Sequence, residues 1–127
     1  MGMFHYYELP NSEMFVFDEF LICQIKEGAE IKPELNERLN KIIQNHFEGK
    51  NIVYISNRVN SYSVDPLTYS ETEKIPNLVA IAIVPNTQLM RKNAEFESEF
   101  FHKPYEIFDT LSEAIQWVHK IIEAESK

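Results

Sequence analysis

Two short apolar runs open the pattern, MFVF at residues 14–17 and FLICQI at 20–25, separated by Asp18 and Glu19. That spacing predicts a tight antiparallel hairpin, with Gly28 closing the second strand. The period then lengthens. Leu35, Leu39, Ile42, Ile43 and Phe47 recur at helical intervals, so KPELNERLNKIIQNHFEGK predicts an amphipathic helix. Pro33 suits its first turn, Glu34 and Glu37 sit at the positive dipole end, and Gly49 is the left-handed terminator.

Two further runs, NIVYIS and NLVAIAIV at residues 77–84, hardly alternate at all. Such runs predict strands covered on both faces, lying side by side and parallel in an α/β sheet. LTYSETEKI, between them, predicts a short helix or turn. After Pro85, NTQLMRKNAEFESEFF predicts a helix opened by Asn86 or Thr87 that buries Leu89, Met90, Ala94 and Phe100, with Phe96 a further candidate. YEIF is a short last strand. Thr110 and Glu113 then form a capping box, with Phe108 and Ala114 as its staple, and Leu111, Ala114, Ile115, Val118 and Ile122 make the buried face of the last helix.

The predicted order is β-β-α-β-(α)-β-α-β-α. It implies one α/β domain with a mixed β-sheet of about five strands, an N-terminal antiparallel hairpin followed by parallel β-α units, and helices packed on the sheet. Residues 1–12 read as an irregular aromatic extension and residues 13–127 as the domain proper. Phe4, Tyr6 and Tyr7 are costly to leave in water, so the extension either covers a sheet edge or packs across a homodimer.

Charge and cysteine usage narrow the class. A net charge of -8 offers no cationic footprint for nucleic acid, and no polybasic membrane anchor is present. No signal-peptide pattern opens the chain, and no apolar run is long enough for a transmembrane segment. A single cysteine, Cys23, lies inside an apolar strand, so a reduced, cytoplasmic protein is expected.

Chemistry is sparse. His5, His46, His102 and His119 share no metal-ligand spacing, and three glycines cannot build a phosphate cradle, so neither a metal nor a cofactor is expected. No serine or cysteine stands in a nucleophile motif, and the expectation is that the protein is not an enzyme. The one concentration of polar chemistry is the exit of the first buried strand, where Asn57, Arg58, Asn60, Ser61, Tyr62, Ser63 and Asp65 follow one another closely. They form either a solvated turn or a contact rim past the carboxyl end of a parallel strand, the ligand-facing side of open α/β sheets.

The element order, together with PYEIFDTLSEAIQWV, resembles the SpoIIAA-like proteins of the STAS/SEC14-like superfamily. In these a short strand ending in Phe leads into a helix of the form D-x-x-x-E-A-x-x-W, matched here by Phe108, Asp109, Glu113, Ala114 and Trp117. FLICQIKEGAEI resembles the family's run into its first helix, and the likeness spans residues 13–125. The resemblance implies a non-catalytic regulatory module that binds a protein partner through residues 57–65. STAS antagonists carry a phosphorylated serine there within D-S-x-G. Here NSYSVDP has no glycine, and Ser61 or Ser63 occupies the place. The SEC14 side implies instead a small apolar or lipid ligand, with Phe96 and Phe100 lining an apolar pocket.

Overall fold

The structure is a computed structural model that describes residues 5–60 and 62–125. Among them the chain runs β1 (His5–Glu8), β2 (Ser12–Val16), β3 (Phe20–Ile25), β4 (Glu30–Ile31), α1 (Leu35–Phe47), β5 (Ile52–Arg58) and β6 (Ser63–Val64). It continues through α2 (Leu67–Thr72), β7 (Leu78–Pro85), α3 (Gln88–Glu97), a 3₁₀ turn (Ser98–Phe100), β8 (Tyr105–Ile107) and α4 (Leu111–Glu125). Six strands make one sheet in the order β1-β2-β3-β5-β7-β8. β1, β2 and β3 are antiparallel, and β3, β5, β7 and β8 run parallel.

The mixed sheet therefore stands as the hydrophobic pattern implies, hairpin first and parallel units after. The difference is β1. The expected irregular lead is a strand, Tyr7 pairing with Met14 and Tyr6 with Phe15, and it becomes the sheet's edge. Its Tyr7 hydroxyl meets His46 Nε2 at 2.6 Å, tying the edge to α1. Phe4 lies outside the described residues.

Sheet residues alternate between two apolar layers. Leu21, Cys23, Ile81 and Ile83 face Leu39, Ile43 and Phe47 of α1, Tyr69 of α2 and Ala94 of α3. Phe20, Ile22, Val53, Ile55, Ala80 and Ala82 face Ala114 and Val118 of α4. The alanines at the contact leave α4 room to lie close against β5 and β7. Phe20 and Phe47 are each fully enclosed, and burial on that scale contributes roughly 1.5–3 kcal/mol per side chain.

The punctuation is as read. Gly49 has φ 76° and ends α1 in the left-handed region. Glu113 N–H donates to Thr110 Oγ1 at 3.2 Å while Thr110 N–H donates to Glu113 Oε1 at 3.1 Å, completing the box on α4. Thr87 caps α3 by accepting from Met90 N–H at 3.1 Å.

α3 corrects the expected core. Leu89 is 68% exposed and Phe96 57% exposed, whereas Ala94, Glu97 and, beyond the helix, Phe101 are buried. Positions 90, 94, 97 and 101 form the inward stripe, and 89 and 96 fall on the opposite side of the same helix.

Candidate functional site

The polar exit of β5 is fastened to its neighbours by backbone bonds. β4 and β6 form a two-stranded parallel ribbon, apart from the main sheet. Ser63 N–H donates to Ala29 O at 3.0 Å and Asp65 N–H to Ile31 O at 2.8 Å. The ribbon binds the segment after β5 to the segment after β3. Asn60 adds a side-chain brace, its Nδ2 donating to Ile25 O at 3.1 Å. Asp65 Oδ1 accepts from Leu67 N–H at 3.0 Å and so anchors the start of α2.

Arg58 departs most from expectation. It does not stand on the rim: only 4% of its surface is exposed, because alternation along β5 points it into the layer under α3. There its Nη2 donates to Glu97 Oε1 at 2.5 Å and its Nη1 to Glu97 Oε2 at 3.3 Å. Nη2 also donates to Tyr69 Oη at 2.9 Å, and the Tyr69 hydroxyl donates in turn to Glu97 Oε1. Arg58 Nε is buried and has no hydrogen-bond partner among the described residues.

Tyr62 covers this pair from the loop side. Its ring centroid lies 5.5 Å from the guanidinium carbon, and its hydroxyl is 3.2 Å from Ser56 Oγ. Tyr105 stands at 6.1 Å from the Tyr69 ring and donates its own hydroxyl to Ala94 O at 2.9 Å.

The electrostatics follow from burial. Enclosure disfavours the Arg58 charge, but the oxygens of Tyr69 and Tyr62 and the Glu97 carboxylate outweigh it and push its pKa further up. Burial raises the Tyr69 phenol well above its ordinary value against the pull of Arg58. Tyr62 is raised for the same reason, again opposed by Arg58. The centre is a buried ion pair inside a shell of phenols whose ionisation burial disfavours.

The other expected residues divide. Asn57 is half-buried on β5, Ser63 is exposed, and Ser61 lies outside the described residues. Exposed Phe96 and half-buried Phe100 pack ring to ring at 5.4 Å, Phe100 against the core below α3. Neither lines the cavity beside Tyr62 or the cleft along α3. Tyr69 and Glu97 were not foreseen. An acid on the 90-94-97-101 stripe of an otherwise apolar helix face is the signal that could have found Glu97, since a buried carboxylate requires a cation beside it.

Among the described residues no group of histidine, cysteine or carboxylate side chains is arranged to hold a metal ion, and no helix is long and apolar enough to cross a membrane. Burial pushes the Cys23 thiol up to about 11, against weaker help from Tyr54 and Ser12, so it stays protonated at neutral pH.

A mixed sheet of this order, with three helices on one face and a capped fourth on the other, defines the SpoIIAA-like fold. The chain matches the crystal structure of an uncharacterized protein of the DUF3478 family with a SpoIIAA-like fold from Shewanella loihica PV-4, with a TM-score of 0.53 over 90% of each chain. Sequence identity across the match is 11%, so the likeness is one of fold. No protein-family profile matches the chain, and no curated protein matches it in sequence.

Proposed function

We propose that this protein is a non-catalytic regulatory module that binds a protein partner at the carboxyl end of β5 and β7. The observation that carries the reading is the exposure of Val59 (46%) and Leu89 (68%) beside the polar rim, with Phe96 (57%) seven residues on from Leu89 along the same side of α3. Large apolar side chains left in water at one end of a sheet are the usual mark of a contact surface. Asn60 and Leu89 line the same cleft, which places loop and helix within reach of one partner.

The bracing of residues 57–65 supports the same reading. Asn60 and Asp65 both bond to their own chain, so this part of the rim is ordered before a partner arrives and association costs less entropy. The contacts offered outward are then Asn57, Ser63 and the apolar side chains. Arg58 acts from behind them as an anchor. The exposed Ser63 hydroxyl is a point where phosphorylation would add charge to the rim. A protonated Cys23 argues against thiol chemistry and suits a reducing, cytoplasmic setting.

The test is a photo-crosslinking amino acid placed at position 96 in the native cell. A discrete adduct, identified by mass spectrometry and lost in the Leu89→Ser/Phe96→Ser variant, supports the reading. Absence of any adduct at 96, with a crosslinker at Lys120 on α4 giving the same background, overturns it.

A further inference from the structure

Tyr62 separates two spaces. On its inner side, under the β4–β6 ribbon and between α1, α2 and the sheet, lies a cavity of about 40 Å³. Its wall sets aliphatic side chains, Ile25, Leu39 and Ile81 among them, beside the hydroxyls of Ser56 and Tyr62 and, from α1 and α2, the polar groups of Asn36, Thr68 and Thr72. On its outer side a cleft of about 120 Å³ runs along α3, lined by Arg58, Asn60, Leu89, Met90, Asn93 and Glu97. Tyr62 is common to both.

The partition is one side chain. Tyr62 is half-buried and packs against the core, its hydroxyl meets Ser56 at 3.2 Å, and its ring stands 5.5 Å from the Arg58 guanidinium. The two polar contacts are of the weaker kind, a neutral hydrogen bond and a cation–π approach. Turning the ring aside joins cavity to cleft, and it opens the region of Arg58 Nε, a buried donor with no partner among the described residues.

We propose that cavity and cleft are the two halves of one binding site for a short neutral amphiphile, with its alkyl end among Ile25, Leu39 and Ile81 and its carbonyl head at Arg58, Asn60 and Asn93. The size of the inner half sets the length. A cavity of about 40 Å³ has room for about three water-sized spheres, which matches an alkyl end of about four carbons. Charge sets the head. Glu97 lines the cleft beside Arg58 and already neutralises it, so an anion gains no unpaired cation while a carbonyl gains donors. The outer cleft borders Leu89, but the inner half lies away from the surface held by Leu89 and Phe96, and the site does not depend on a protein partner.

Pentanamide is the probe, titrated into the full chain carrying labelled Ile, Leu and Val methyl groups. The expected result is saturable shifts of the Ile25, Ile31, Leu39, Val64 and Ile81 methyl signals at millimolar ligand, with pentanoate at least tenfold weaker. Leu39→Phe fills the cavity and is expected to weaken pentanamide at least tenfold while the Val118 and Ile55 signals of the opposite layer stay dispersed. Val64→Ile, a milder filling, is expected to weaken it about threefold and serves if the first variant does not fold. Tyr62→Ala removes the partition and is expected to admit heptanamide more tightly than the parent chain does. Shifts confined to Leu89, no saturable shift, filling variants that bind as the parent does, or pentanoate binding as tightly as pentanamide would each overturn the proposal.

Discussion

Arg58 ends the central strand β5 and Glu97 ends α3, and across 39 positions of sequence the two meet in a buried bidentate ion pair at 2.5 and 3.3 Å. Their side chains are 4% and 9% exposed, so water screens the pair little. Desolvating two charges is expensive, and the pair repays that only while both partners and Tyr69 are present. Removing one partner leaves a naked charge in the apolar layer. Glu97→Leu or Arg58→Met alone is therefore expected to cost about 3–5 kcal/mol of unfolding free energy. The double substitution is expected to recover most of that loss. Urea denaturation of the four chains checks this as a double-mutant cycle, and single losses below about 1 kcal/mol would mean that the pair is hydrated like a surface bridge.

Stability is expected to fall on the alkaline side. The Cys23 thiol is raised by burial from 9.0 to about 11, and burial raises the Tyr54 phenol as well. A group raised in the folded state contributes stability that is whole below its unfolded pKa and is lost as pH climbs to the folded value. The window for Cys23 is thus pH 9 to about 11. At about 1.4 kcal/mol per pH unit of separation, the thiol accounts for at most about 3 kcal/mol of that decline. Denaturation midpoints across the window are expected to slope downward, less steeply in Cys23→Ala than in the parent. Equal slopes would show that Cys23 does not titrate with unfolding.

How much of this was legible in advance depends on range. Elements closed by local chemistry were readable, because Gly49, the Thr110–Glu113 box and the two-residue turn at Asp18 and Glu19 act on their own neighbours. The parallel placement of β5 and β7 was readable too, since runs without alternation must be covered on both faces. What failed was long-range. Nothing local says that Arg58, amid asparagines and serines, turns inward, because its partner Glu97 arrives from another helix. The same pair hid the true face of α3: a carboxylate occupies an inward position while Leu89 and Phe96 face water, so counting apolar residues selects the wrong side. β1 was obscure for a related reason. Its residues HYYE are half polar, and they become a strand only because β2 offers a free edge.

The cap on α4 supplies a prediction within reach of a single substitution. Thr110 and Glu113 satisfy each other's backbone donors at 3.1 and 3.2 Å. Thr110→Ala is expected to cost about 1 kcal/mol, and Thr110→Ser or Thr110→Asp to restore nearly all of it. Thermal unfolding followed by circular dichroism checks the order of the three. A Thr110→Ala chain as stable as the parent would show that packing of Ala114 and Val118 alone holds the helix start.

The edge strand is expected to weaken in mild acid. Tyr7 Oη stands 2.6 Å from His46 Nε2, and the His5 ring lies 5.2 Å from the His46 ring. Burial and then the neighbouring His5 hold the His46 pKa below its ordinary value of 6.5. A histidine depressed in the folded state contributes stability that is present above its unfolded pKa and is lost as pH falls through the folded one. Protonation also closes Nε2 as an acceptor, so Tyr7 loses the bond that ties β1 to α1. Amide exchange at His5 and Tyr7, whose N–H groups face β2, is a direct readout, compared with exchange at Ile43 in the core. After correction for intrinsic exchange, protection at the two β1 positions is expected to drop between about pH 7 and pH 5 while Ile43 holds, because histidine is the side chain that titrates in that range. In His46→Gln the β1 positions are expected to keep a nearly constant protection across the same interval. A drop of the same size in that variant would assign the weakening to His5 or to carboxylates and sink the role given to His46.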